Sequence, residues 1–376
     1  MMRIAYVCTD PGIEIFGTKG ASVHAQEMLA AFLAQGAVIT LISPRIGEVP
    51  AEYADLHLMP LGSLPKSCDA ADRARKLLAL NDATTAALRS AGPFDLIYER
   101  HALFAHAAME EAARQGIPGV LEVNAPLIEE SARHRYLPLP EAAAARTRRA
   151  MKAAGMISAV SRPVADYART HGAQRIEVIP NAVNPDRFPP VARPDGRLTV
   201  GFLGTLRPWH DVGTLLEAMT ILRMDYPRSE LLIVGDGPER QRLAPELATL
   251  DAQLAGAVTP AEVPGLLARM DIAVAPYAGD QPFYFSPLKV YEYMASGLPV
   301  VASDVGDLAG LVRHGETGLI CAPDDPAALA RALARLADNP ALARRMGAMG
   351  RRYVLARHSW AGVAARILAL ATREAA

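Results

Sequence analysis

Lys289 and Glu292 stand three residues apart in SPLKVYEYMASG, after Ser286-Pro287 and before the apolar run LPVVAS. If Ser286-Pro287 opens a helix, the lysine lies in its first turn and the glutamate one turn later on the same face. A lysine is ordinarily unfavourable at the positive end of a helix dipole, so its position makes sense where an anion binds. A carboxylate one turn deeper can accept hydrogen bonds from the vicinal hydroxyls of a ribose. One helix would then grip both ends of a nucleoside diphosphate. A surface Lys–Glu ion pair worth roughly 0.5 kcal/mol accounts for the same two residues equally well.

Other segments offer related chemistry. Phe16-Gly17-Thr18-Lys19-Gly20-Ala21-Ser22 precedes a helical pattern with Val23, Met28, Phe32 and Leu33 on one face. Glycines at a helix start let backbone N–H groups approach a phosphate, although a flexible turn is the plainer reading of these residues alone. GxGxxG is absent there, which argues against a nicotinamide dehydrogenase. The run LTVGFLG leads into Thr205-Leu206-Arg207-Pro208-Trp209-His210-Asp211, a loop with cationic capacity at Arg207 and His210. DIAVAP leads into Tyr277 to Pro287, whose prolines, glycines and aromatics suit the covering of a nucleobase. The turn Asp236-Gly237-Pro238-Glu239 reads as architecture, with proline at the first helical position.

The elements that must position these residues are short apolar runs alternating with helical periodicities. RIAYVC, AVITLIS, LIYE, GVLEV, MISAVS and EVIP form one series; LTVGFLG, ELLIVG, DIAVAP, LPVVAS and GLIC form another. They lack the alternation of one-sided sheets, so strands buried on both faces fit best. Thr259-Pro260-Ala261-Glu262 predicts a capping box, Asp325-Pro326 opens a helix with a Leu329, Leu333, Leu336 stripe, and Asp211 precedes Val212, Leu215, Leu216, Met219 and Leu222. The fold class is α/β, with two Rossmann-like, doubly wound domains facing each other across a cleft that receives the carboxyl ends of the strands. The expected divisions are 1–185, 186–355 and a C-terminal helix, 356–376, packing back on the first domain. The Pro-rich segment Asn184 to Arg197 is read as the linker.

Composition agrees. A chain of 376 residues, 51% hydrophobic and 21% charged, has ample core for two domains. A formal charge of −1 gives no field for a nucleic-acid polyanion, so no nucleic-acid partner is expected. Cys8, Cys68 and Cys321 are too scattered for a disulfide framework or a zinc site. No run approaches the roughly 20 apolar residues that span a bilayer, and MMRIAYVCTD reads as a first strand rather than a leader. A soluble, cytoplasmic protein is expected.

Taken in order, these segments resemble a known family. FGTKGASVH, YERHALFAH, GIPGVLEVNAP, SAVS, VIPNAVNPDRF, GFLGTLRPWHD, LLIVGDGPER, DIAVAPY, SPLKVYEYMASGLPVVASD and GETGLICAPDDP follow the order of the retaining glycosyltransferases of family 4, with the GT-B fold. The resemblance covers essentially the whole chain. It implies a nucleotide-sugar donor held by the second domain, an acceptor held by the first, retention of anomeric configuration, and no metal or cofactor. A UDP-sugar is the expected donor, guanosine, thymidine and adenosine forms being also compatible. On the resemblance, Glu292 is the ribose-binding glutamate of an E-x7-E motif, Gly17, Lys19 and Gly20 lie near the diphosphate, and Asn181 sits at the domain junction.

Departures accompany the matches. The first glutamate of E-x7-E falls on Tyr284, the family's diphosphate-binding arginine and lysine on Thr205 and His210, and its first-domain histidine on Asn124. Cationic help then falls to Arg207 and Lys289, which with Asn124 are the catalytic candidates, while Ser286, Pro287 and Leu288 join the donor site. Glu99, Arg100, His101, Glu129 and Glu130 are candidates for an acceptor's hydroxyls or amines, His101 and His24 also as bases. Breaking the sugar–diphosphate bond develops negative charge that fixed positive potential would stabilise. The alternatives are a nucleotide-sugar epimerase of the same fold and a non-catalytic nucleotide-binding module. Arg146, Arg148, Arg149 and Lys152 on one helix read as a solvated face or, less simply, as a peripheral membrane contact.

Overall fold

The computed structural model describes residues 1–62, 69–134, 136–189, 197–280, 282–284 and 286–372. Cys68, residues 190–196 of the expected linker, and Gln281 and Phe285 of the expected nucleobase loop lie outside them. The chain divides into two compact units: Met1–Asn181 with Tyr284–Ser286 and Trp360–Ala376, and Ala182–Phe283 with Pro287–Ser359. The excursion at Tyr284–Ser286 interrupts the single 186–355 span that the sequence suggests.

In the first unit the order is β1 (Arg3–Cys8), α1 (Gly20–Ala34), β2 (Val38–Ser43), β3 (His57–Pro60), α2 (Ala70–Ala91), β4 (Leu96–Arg100), α3 (Ala107–Gln115), β5 (Gly119–Val123), α4 (Leu127–His134), α5 (Pro140–Ala153), β6 (Met156–Ala159), α6 (Arg162–Thr170) and β7 (Ile176–Val178). All pairings are parallel, in the order β3-β2-β1-β4-β5-β6-β7. β4 and β5 are buried at every position, as continuous apolar runs require when helices cover both faces. The winding reverses between β1 and β4, so the crevice lies at their carboxyl ends.

The second unit repeats this plan: β8 (Thr199–Leu203), α7 (Val212–Asp225), β9 (Glu230–Val234), α8 (Arg240–Thr249), β10 (Gln253–Gly256), α9 (Val263–Leu267), β11 (Ile272–Ala275), α10 (Leu288–Ala295), β12 (Val300–Ser303), α11 (Leu308–Leu311), β13 (Gly318–Cys321), α12 (Pro326–Asp338) and α13 (Pro340–Arg357). Its parallel sheet runs β10-β9-β8-β11-β12-β13 and reverses between β8 and β11. The last helix, α14 (Trp360–Thr372), belongs to the first unit. There Trp360 meets His24 edge-on with ring centroids 4.8 Å apart, and Arg175 Nη2 donates to the Leu370 carbonyl at 2.8 Å.

Several local expectations need correction. Glu262 does bond back to Thr259 N–H at 2.7 Å, but residues 260–262 form a turn and α9 begins at Val263. Pro238 likewise lies in a turn, two residues ahead of α8. The buried face of α1 carries His24, Met28 and Phe32 with Ala25 and Leu29, leaving Val23 and Leu33 at its margins. Edge strands β3 and β10 were not legible because neither presents a buried apolar run. Among the described residues no helix is long and apolar enough to cross a membrane.

Candidate active site

In the second unit the site is built on the start of α10. Pro287 caps this helix with no side-chain hydrogen bond, and Lys289 lies in the first turn. Tyr293 fixes the helix: its hydroxyl accepts the Leu203 N–H at 2.6 Å and donates to the Val274 carbonyl at 3.3 Å. These contacts set α10 against β8 and β11, the strands flanking the reversal point. Lys289 therefore points across the end of β8. Its Nζ sits 4.3 Å from the Phe202 ring centroid and 5.2 Å from that of Tyr277. Gly204 makes room, because a Cβ there would come within 2.9 Å of Nζ.

Lys289 is 8% exposed, and its amine has no hydrogen-bond partner among the described residues. Burial pushes it down to about 7, with the Glu292 carboxylate acting in the opposite direction. Glu292, one turn on, is half-buried. His210 shares the pocket, with its ring 5.4 Å from Tyr277 and 5.9 Å from Phe202. Burial and then the Lys289 charge push His210 down to about 2, so it is neutral. Its Nδ1, 2.5 Å from the Thr205 carbonyl, donates that bond and leaves Nε2 as an acceptor. The cationic capacity expected of His210 is thus not realised, and Arg207, exposed over the Trp209 ring at 5.5 Å, supplies that loop's charge. Thr205 is exposed, while Pro287 and Leu288 are half-buried at the helix start.

The GDGP turn packs closely on the β8–α7 loop, for a Cβ on Gly237 would lie 2.4 Å from the Leu206 carbonyl oxygen. Gly235 lets two loops meet, since a Cβ there would lie 2.1 Å from the Gly204 carbonyl oxygen.

In the first unit, Gly17, Lys19 and Gly20 lead into α1, whose cap Lys19 makes no side-chain bond; Lys19 and Gly20 are exposed. Gln26 Nε2 donates to the Gly17 carbonyl at 2.8 Å and holds the loop. Arg100, by contrast, is committed inward. It pairs with Glu122 at 3.1 Å, while His24 Nε2 lies 2.5 Å and the Tyr98 hydroxyl 2.7 Å from the other carboxylate oxygen. Burial alone would raise Glu122, but His24, Arg100 and Tyr98 together hold it down to about 2. This buried network was not singled out in the sequence, because its members come from α1, β4 and β5.

At the ends of these strands other polar groups have no partner among the described residues: both Glu99 oxygens, both His101 ring nitrogens, Thr9 Oγ1 and Asn124 Nδ2. Burial pushes Glu99 up to about 8, and burial plus His171 pushes His101 down to about 4, so both are largely neutral at pH 7. All four residues follow or end β1, β4 or β5. Glu129 is exposed at the start of α4 and Glu130 is half-buried.

Tyr284, expected in the donor site, packs in the apolar core of the first unit. Its hydroxyl donates to Glu130 at 2.8 Å and its carbonyl accepts from Ser161 Oγ at 2.7 Å. Ser286 is held by Asn181, whose backbone N–H reaches Ser286 Oγ at 2.9 Å and whose Nδ2 reaches its carbonyl at 2.6 Å. On α5, Arg149 pairs with Glu110 at 2.6 Å, and Arg148 and Lys152 are exposed. Among the described residues no three His, Cys, Asp or Glu side chains are grouped to hold a metal ion.

Comparison with known proteins places these features. The family described as Glycosyltransferase Family 4 matches residues 18–187, and that described as Glycosyl transferases group 1 matches residues 197–339. The chain is 34% identical over 202 residues to a glycogen synthase of Mycobacterium tuberculosis, covering 51% of this chain and 47% of that protein. It is 31% identical over 289 residues to a D-inositol 3-phosphate glycosyltransferase of Streptomyces scabiei, covering 68% and 63%. The chain thus spans about half to two thirds of the length of these relatives. Anabaena HepE, solved in complex with UDP-glucose, superposes with a TM-score of 0.72 at 18% identity over 98% of this chain and 99% of that one. Two matched halves in order, each a doubly wound sheet of the GT-B fold, establish that the chain belongs to the family 4 glycosyltransferases.

Proposed function

We propose that this protein transfers a sugar from a nucleoside-diphosphate sugar to a hydroxyl acceptor, with retention of anomeric configuration and without a metal or further cofactor. The observation that carries the reading is Lys289, a buried amine with no hydrogen-bond partner among the described residues, at the first turn of α10 and at the reversal point of its sheet. A diphosphate oxygen gives it the acceptor it lacks, and α10 adds uncapped N–H groups and the positive end of its dipole. Glu292, one turn along, receives the ribose hydroxyls. Arg207 adds positive potential from the β8–α7 loop of the same unit.

As the bond from the anomeric carbon to the diphosphate breaks, negative charge grows on the leaving oxygen, and Lys289 and Arg207 stabilise it. The leaving oxygen then takes the proton of the incoming acceptor hydroxyl on the same face of the sugar, which preserves configuration. On the first unit, neutral Glu99 and His101, with Thr9 and Asn124, provide hydrogen bonds suited to a polyol. The UDP-glucose bound by HepE supports a UDP-sugar as donor.

A thermal-shift panel of uridine, guanosine, thymidine and adenosine diphosphate sugars tests the donor side. One member should raise Tm in proportion to its affinity, and nuclear magnetic resonance of the product should show the donor's anomeric configuration. Absence of any nucleotide-dependent shift, or normal turnover by both Lys289→Ala and Arg207→Ala, overturns the reading. Donor consumption to an isomer without acceptor would indicate an epimerase instead.

A further inference from the structure

We infer that Lys289 takes up a proton from solvent when a sugar nucleotide docks on α10, so that the arriving anion creates the cation that holds it. This rests on the nucleotide-sugar reading above and adds to it a charge change at the site. A lysine ammonium presents three donors, and here Nζ faces two aromatic rings and the space a Cβ on Gly204 would fill, without one hydrogen bond among the described residues. Ring faces compensate a desolvated ammonium only in part. The amine is therefore poised between its two forms, in keeping with its fall from 10.5 to about 7.

The groups around it do not supply the missing charge balance. Glu292 on the same helix favours the ammonium but does not outweigh burial. From the β8–α7 loop come His210, which is neutral, and Arg207, which is cationic. From the end of β11 comes Tyr277, and Tyr293 of α10 has its hydroxyl engaged with Leu203 and Val274. A diphosphate adds negative charge and hydrogen-bond acceptors at Nζ, and both favour the protonated form. The balance is one proton released by buffer and one N–H bond formed on Lys289, with the ligand unchanged. A sugar diphosphate diester is ionised throughout the neutral range, so the proton cannot reside on it.

Isothermal titration with UDP-glucose, GDP-mannose, ADP-glucose and dTDP-glucose, in buffers of different ionisation enthalpy, reads the transfer directly. For whichever binds, the observed enthalpy should vary linearly with buffer ionisation enthalpy. The slope should approach one proton taken up per site at pH 8 and fall toward zero at pH 6, where Lys289 is already charged. Lys289→Met should bind at least about tenfold more weakly and lose the slope. Binding at pH 8 with no buffer dependence overturns the inference while leaving the nucleotide-sugar reading intact. So does a slope that persists in Lys289→Met, which would put the proton on His210. If that variant does not fold, the wild-type slopes at the two pH values decide. Failure of all four nucleotides to bind overturns the underlying reading as well.

Discussion

Glu99 and Lys289 are both buried ionisable groups without a hydrogen-bond partner among the described residues, one near the end of β4 in the first unit and one in the first turn of α10 in the second. Burial favours the neutral form of each, raising the carboxyl from 4.5 to about 8 and lowering the amine from 10.5 to about 7. Their linkage signs are therefore opposite. Between pH 4.5 and 8 the folded state holds the Glu99 proton more tightly than the unfolded chain, so its contribution to stability falls as pH rises. Between pH 7 and 10.5 the unfolded chain binds the lysine proton more tightly, and stability rises with pH. Glu99→Gln removes the first effect alone. Relative to wild type, this variant should gain stability progressively from pH 5 to pH 8.5, by roughly a few kcal/mol at the upper end. Denaturant titrations at successive pH values check this, and a constant difference across the range would show that Glu99 is ionised in the folded protein. At this scale the sequence was partly legible. The spacing of Lys289 and Glu292 pointed to a helix gripping an anion, but the missing partner was not readable, because Phe202 and Gly204, which flank the amine, stand at the end of β8, far back in the chain. The His210 tautomer was equally hidden, since it depends on a carbonyl five residues back and on the Lys289 charge.

Among the elements, α10 shows how one side chain fixes a helix. Tyr293 is fully buried, and its hydroxyl is the partner of the Leu203 N–H. Tyr293→Phe keeps the packed ring but leaves that backbone donor buried and unsatisfied, a cost of about 1–3 kcal/mol. The expected outcome is a lowered midpoint in denaturant with an unchanged m-value, together with weaker nucleotide binding as Lys289 loses its fixed line toward Gly204. A variant as stable as wild type would show that core packing of the ring, rather than the two hydrogen bonds, sets the helix. Helices with an amphipathic stripe and a capping residue were legible: Asp325 accepts from Ala328 N–H at 2.7 Å, where the sequence opens α12, and Asp211 accepts from Thr214 at 3.4 Å at the head of α7. Central strands were legible for a related reason, their apolar runs being buried on both faces. Edge strands β3 and β10 were not, since one face and one edge meet water and the run of apolar residues breaks.

At the scale of the whole molecule, the chain passes between units four times, at Asn181–Ala182, Phe283–Tyr284, Ser286–Pro287 and Ser359–Trp360. Two series of strands in order made two doubly wound sheets legible. The three-residue return at Tyr284–Ser286 was not, because it depends on Ser161, Glu130 and Asn181 rather than on any local pattern. The last passage has a measurable consequence. Trp360, Ala364, Ile367 and Ala371 are the buried face of α14, and α1 is its neighbour through His24. Trp360 and Ile367 alone account for roughly 4–6 kcal/mol of apolar burial, a large share of the about 5–15 kcal/mol that stabilises a typical domain. A chain ending at Ser359 should therefore lose the first unit's cooperative transition or melt it well below the full-length value by circular dichroism. Such a chain keeps a single tryptophan, Trp209, in the second unit. Its fluorescence should report a transition within a few degrees of that in the full chain, still raised by nucleotide. Loss of both signals together would mean that the second unit depends on the first for its fold. Retention of both would mean that α14 contributes little beyond covering His24.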